Sequence, residues 1–287
     1  MEVLDEKNLK ALVSLLSDDD VEVLQHVEQK IISIGNTIIP YLEQEWESNF
    51  NPLVQKRIEE LIHSLQYENV KKGLLRWKTN GHGDLLEGLW LICTYQYPDL
   101  EFEKLKAQID QIYYDVWVEM RASEEVAFDK LKVINYAFFG KLKFSANTKN
   151  FHSISNSMLN VVLETRKGNP ITLCCIYLMI AQKLKLPIYG VNLPNLFILT
   201  YKDDSNHFYI NVFNKGLVFS KEDIDNYIAH LKLSPNPVFY DPCNNLDIIK
   251  RVLRNMLISF EKTGDTEKMQ EIKDMLQSIS DPGDNFI

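Results

Sequence analysis

The stretch Asn156–Phe213 reads NSMLNVVLETRKGNPITLCCIYLMIAQKLKLPIYGVNLPNLFILTYKDDSNHFYINVF. Gly168-Asn169-Pro170 is a helix-start signal. The Asn169 side chain can accept a hydrogen bond from an otherwise unpaired N–H of the first turn. Pro170 then falls at the first helical position, where a missing N–H costs nothing. Leu173, Ile176, Tyr177, Ile180, Ala181 and Leu184 follow at the spacing of one helical face. Leu178 and Met179 occupy part of the other face, so the spacing predicts a central, nearly fully buried helix. Pro187 ends it. Val191–Tyr201 and His207–Phe213 then read as two strands, joined by the polar turn Lys202–Asn206.

A buried helix followed by two antiparallel strands resembles the core of transglutaminase-like proteins. More closely, Asn156-Ser157-x-Leu159-Asn160-x-Val162-Leu163-Glu164-x-Arg166-x-Gly168-Asn169-Pro170-Ile171 and Gly190-Val191-Asn192-Leu193-Pro194 resemble the SirB-type branch of that superfamily. The resemblance extends from about Leu9 to the last helix. It implies a papain-like Cys-His-Asp site, with the Cys at the helix N-terminus, the His on the first strand and the Asp on the second. By the same resemblance the nucleophile position holds Pro170. The branch pattern Pro-Gly-His-Phe reads Pro194-Asn195-Leu196-Phe197, so Leu196 stands for the histidine. Ile-Asp-Pro-Phe reads Ile210-Asn211-Val212-Phe213, so Asn211 stands for the acid. A thiolate nucleophile needs a sulfur, a base and a group that orients the base. Pro170, Leu196 and Asn211 supply none of them, and the three are expected to converge as a vestigial site.

The chain of 287 residues carries 45% hydrophobic and 11% aromatic residues, enough for a substantial core. A formal net charge of −9 argues against a nucleic-acid partner, which needs a concentrated basic face. The acidic start Met1–Glu6 does not read as a signal peptide, and no apolar run is long enough to span a bilayer. Cys93, Cys174, Cys175 and Cys243 suit neither a disulfide framework nor a zinc site, so reduced cytoplasmic thiols are expected. No cofactor or metal is expected.

Residues 1–77 read as short paired helices that resemble HEAT-type units. Leu9, Leu12, Val13 and Leu16 make the first stripe. Asp18-Asp19-Asp20 precedes the second, Leu24, Val27, Ile31 and Ile34, which Gly35 closes. A third helix is expected over Thr37–Trp46, and Asn51-Pro52 starts a fourth. Lys78–Asp84 is the candidate linker, with His82 a solvated loop histidine. Residues 84–233 form the transglutaminase-like core, with helical stripes beginning at Leu86, Phe102 and Phe128. Gly216–Phe219 reads as a short strand, and Ser220 with Asp223 forms a capping box before the next helix. Residues 234–287 hold two helices, Asp247–Phe260 and Thr266–Ser278, joined at Gly264. They resemble a tetratricopeptide-like hairpin, with a loose tail from Asp281.

Other constellations carry rival chemistry. Cys174 or Cys175 could serve a rearranged cysteine hydrolase or transferase, with His207 as the base. The plainer reading is two small apolar residues filling a buried helix. The acidic pairs Glu101/Glu103, Glu124/Glu125 and Glu222/Asp223 read as helix starts and solvated faces. A vacated cleft lined by Leu196 and Pro170 could instead hold a small molecule. The sequence therefore predicts a mostly helical α+β protein with a small antiparallel sheet. Its expected role is a non-enzymatic interaction or scaffold module with an unidentified protein partner.

Overall fold

The structure, a computed structural model, describes residues 6–18, 20–81, 83–120 and 127–281. Asp19, His82, Glu124, Glu125 and the tail 282–287 lie outside the described residues. The chain divides into two compact units, Met1–Gly73 and Leu74–Ile287.

The first unit holds α1 (Glu6–Ser14), α2 (Val21–Ile34), α3 (Ile39–Ser48) and most of α4 (Pro52–Thr79). Asp20 caps α2 by accepting from the Glu22 N–H at 2.8 Å. Gly35 ends it at φ +80°, a conformation that favours glycine. Asn51 accepts from the Leu53 N–H at 3.0 Å and so caps α4. Helix α3 begins two residues later than the Thr37 expected, because Asn36–Ile38 forms a tighter 3₁₀ turn first. Leu16, Ile31, Ile38, Leu42 and Ile58 form a fully buried core.

The second unit continues with α5 (Leu85–Thr94), α6 (Phe102–Met120) and α7 (Ala127–Asn135), which runs into a π-helical turn at Tyr136–Lys141. β1 (Ser145–Ala146), α8 (Leu159–Thr165) and β2 (Lys167–Gly168) lead into α9 (Pro170–Lys183). Then come β3 (Ile188–Leu193), β4 (Leu196–Lys202), β5 (His207–Asn211) and β6 (Leu217–Phe219). α10 (Lys221–His230), α11 (Asn245–Thr263) and α12 (Thr266–Ile279) complete it. The expected linker is short, since α4 runs on to Thr79 and Asp84 already caps α5.

Helix α9 is the centre of this unit, and every residue from Ile171 to Ala181 is buried. Burying such side chains contributes roughly 1.5–3 kcal/mol each, which is why an unbroken apolar helix belongs inside. The β3-β4-β5-β6 sheet is an antiparallel meander packed on it. Val191–Tyr201, expected as one strand, belongs to two. Pro194 and Asn195 form a two-residue turn, with Asn195 at φ +60°, so Leu193 pairs directly with Leu196. Proline fixes one turn residue and asparagine tolerates the left-handed one. On the far side of the sheet, Ser220 and Asp223 form the expected capping box of α10. Gly264, at φ +73°, turns α11 into α12, which packs back against it. Among the described residues no helix is long and apolar enough to cross a membrane.

Candidate functional site

The start of α9 is built by the motif residues before it. Asn169 accepts from the Thr172 N–H at 3.0 Å, and its Nδ2 donates to the Ser157 hydroxyl at 3.0 Å. Asn156, 1% exposed, donates to the carbonyls of Asn150 at 2.6 Å and Phe151 at 3.0 Å. Asn156 thus holds the loop that carries Phe151 and His152, while Ser157 steadies the cap. Pro170 sits at the first helical position, as its sequence context predicts.

Pro170, Leu196 and Asn211 do not converge. Leu196 alternates with Phe197 along β4, and successive strand residues face opposite sides of the sheet. Leu196 packs with Leu193, Ile198, Ile224 and Ile228 on the α10 side. Phe197 is on the α9 side: Gly190 faces it closely, and it shares a cleft with Pro170. Asn211 lies at the end of β5, where its Oδ1 accepts from the Asn214 N–H at 3.1 Å. The physical cause is the Pro194-Asn195 turn, which starts β4 at Leu196 and sets which side of the sheet each residue takes.

The thiols are held neutral. Cys174 and Cys175 are fully buried. The Cys174 Sγ–H lies 3.5 Å from the Phe197 carbonyl, to which it donates. Burial drives both thiols well above the usual thiol range, and neighbouring sulfurs add to the effect. Burial raises Cys93 to about 11, partly offset by the backbone N–H groups of Asn160 and then Leu159, the latter donating to its sulfur at 3.2 Å. Burial and then Asp247 raise Cys243 to about 12. His207, the base of the rival reading, stands exposed at the opposite end of β5 from Asn211, its ring beside Tyr209. The acidic pairs have structural work: Glu101 and Glu103 pair with Lys104 and Lys106, and Asp223 caps α10. Among the described residues no group of three or more His, Cys, Asp or Glu side chains could hold a metal.

What does open beside Pro170 is a cleft of about 440 Å³. Its floor is Pro170, Ile171 and Phe197, its rim the Pro194-Asn195 turn, and its far wall the α11 face of Arg251, Arg254, Asn255, Ile258 and Ser259. Leu196 does not line it. The Ser259 hydroxyl donates to the Asn255 carbonyl of its own helix at 2.9 Å. Arg251 Nη1 donates to Asn192 Oδ1 at 2.8 Å and to the Leu193 carbonyl at 3.1 Å. Burial, and then the charge of Arg254, loosen its hold on its proton relative to an ordinary arginine. Neither arginine belongs to a motif that marks it in the sequence. The available signal was polar residues at 251, 254 and 255, one face of an otherwise amphipathic helix.

A model described as the transglutaminase-like superfamily matches residues 103–254, from the start of α6 into α11. The match covers more than half of the chain, and the chain belongs to that superfamily. Its relatives include F-box only protein 21 of Mus musculus, 24% identical over 249 residues, covering 76% of this chain and 39% of that protein. A UPF0162 protein of Xylella fastidiosa is 27% identical over 205 residues, covering 68% of this chain and 71% of the relative. UPF0162 protein YchA of Escherichia coli is 25% identical over 194 residues, covering 64% and 69%. The chain thus spans about two fifths of the F-box only protein it matches. No solved structure matches it.

Proposed function

We propose that the chain is a non-catalytic, SirB-type member of the superfamily that acts as a protein-interaction or scaffold module. One observation carries the reading: the thiols of α9 are sealed in the core and held neutral, while a proline opens the helix. A reactive cysteine needs the reverse, partial exposure in an electropositive setting. The likeness to F-box only protein 21 is in keeping with a protein-interaction role.

In this reading residues 1–77 are a HEAT-like helical segment, 84–233 the transglutaminase-like core and 234–287 a tetratricopeptide-like hairpin. Catalytic residues are none, with Pro170 in the nucleophile's place, and no cofactor or metal is used. The protein works in the cytoplasm with its cysteines reduced, and binds neither nucleic acid nor membrane. The rival, a hydrolase or transferase using Cys174 or Cys175, would need a histidine beside a sulfur. Cys174 instead has the Phe197 carbonyl as its partner.

The test is turnover by the intact protein. Thioester, peptide-amide and amine-transfer substrates are offered before and after iodoacetamide treatment. No thiol-dependent turnover is expected. Turnover abolished by Cys174→Ala or Cys175→Ala would overturn the reading.

A further inference from the structure

We propose that the cleft between the start of α9, the Pro194-Asn195 turn and α11 binds a carboxylate carried on an apolar body, with the Arg251 guanidinium as its receptor. The inference goes beyond the non-catalytic reading and does not depend on it, since a catalytic chain could use the same pocket.

The chain has 40 acidic residues against 31 basic ones, yet the cleft is lined by two arginines and, among the described residues, by no Asp or Glu. Both bonds that Arg251 makes use one nitrogen, Nη1, and both go to neutral oxygens. Among the described residues the remaining donors, on Nε and Nη2, have no protein partner. Arg251 lines the cleft, where an anion can meet its guanidinium. A partly buried charge with only neutral partners is costly. Arg254, one helical turn further along the same wall, adds like charge. An anion in the cleft would relieve both effects. Guanidinium presents a planar fork that matches a carboxylate with two parallel bonds.

The walls choose among anions. Phe151, Pro170, Pro194, Phe197, Leu233 and Ile258 are apolar, and no lysine lines the cleft. Pro170 has no N–H, and the Thr172 N–H is already taken by Asn169, so the helix end offers little to a phosphate. The volume of about 440 Å³ falls within the ~300–1,000 Å³ of small-ligand pockets. An aromatic or aliphatic acid fits this chemistry, whether it is a free small acid or the C-terminal residue of a polypeptide.

The experiment is calorimetry on the intact chain with four probes: N-acetylphenylalanine, its C-terminal amide, a tripeptide ending in phenylalanine with a free carboxylate, and inorganic phosphate. The acid should bind, and the amide and phosphate should bind at least about tenfold more weakly. A tripeptide that binds tighter than the single residue assigns the site to polypeptide C-termini, and equal affinity assigns it to small acids. Arg251→Gln should weaken acid binding about tenfold or more. Should that variant not fold, Ile258→Glu decides, since Ile258 is 42% exposed and the change puts a repelling charge in the cleft. No acid binding up to about 10 mM, equal binding of amide or phosphate, or unchanged affinity in a folded variant would overturn the proposal.

Discussion

Arg251 of α11 donates to Asn192 of β3 at 2.8 Å, and this bond ties the C-terminal helical pair to the sheet. The same guanidinium reaches the Leu193 carbonyl at 3.1 Å, next to the turn that rims the cleft. Replacing Asn192 by Ala leaves the partly buried guanidinium with one protein acceptor in place of two. Hydrogen bonds to charged groups are worth about 1.5–3 kcal/mol. Asn192→Ala should therefore lower unfolding stability by about 2 kcal/mol, read from urea denaturation. An unchanged midpoint would mean that the bond holds nothing.

Gly190 permits the close packing of β3 against its neighbours. A Cβ there would lie 2.7 Å from Phe197 Cζ and 3.0 Å from Cys243 Sγ. Phe197 is only 1% exposed, so its ring has little room to withdraw. Overpacking of this kind costs about 1–3 kcal/mol. Gly190→Ala should show that loss in thermal or denaturant unfolding, and a neutral result would contradict the packing described.

The cap of α9 has a double role. Asn169→Ala removes the acceptor for the Thr172 N–H and the donor to Ser157. Cap loss alone costs about 0.5–2 kcal/mol, and the buried Ser157 hydroxyl adds to it. About 2 kcal/mol of destabilisation is expected. Asn169→Asp keeps the acceptor, so it should retain more stability than Asn169→Ala.

These elements also separate what the sequence discloses from what it does not. Asn169-Pro170, Ser220 with Asp223, and Gly264 are legible because each is a local bargain between a side chain or glycine and the backbone beside it. The Pro194-Asn195 turn is hidden in the sequence because apolar runs flank it on both sides, so Val191–Tyr201 reads as one strand. That error has a large consequence, since side chains alternate across a sheet and register decides which face each one takes. The cleft was legible only at Pro170. Its far wall comes from Arg251, 59 residues from its partner Asn192, and local pattern does not carry such a meeting.

The corrected faces of the sheet make a prediction about rebuilding a site. Pro170→Cys, Leu196→His and Asn211→Asp together should not create an activated thiol. An imidazole at 196 would lie among Leu193, Ile198 and Ile228, on the opposite side of the sheet from α9. A base must come within hydrogen-bond reach, about 3 Å, to take a proton. The alkylation profile of the triple variant against pH should therefore match that of Pro170→Cys alone. A shift of the profile to lower pH in the triple variant only would show that the three positions do meet.

The non-catalytic reading rests on the neutral, buried thiols, and their alkylation rate against pH tests it most directly. The intact protein is treated with iodoacetamide from pH 6 to pH 10, and each cysteine is followed by mass spectrometry beside a urea-unfolded control. The folded thiol values are raised, to about 11 for Cys93 and about 12 for Cys243, and burial raises Cys174 and Cys175 as well. The unfolded chain ionises near the ordinary thiol pKa of about 8.5. Below that pH both states keep their protons and the thiols leave stability unaffected by pH. Above it only the unfolded chain loses protons, so stability falls as pH rises towards the folded values. Cys174 and Cys175 should remain unlabelled at neutral pH in the native protein while the unfolded control labels fully. Fast, stoichiometric labelling of either one at neutral pH in the folded chain would contradict the account.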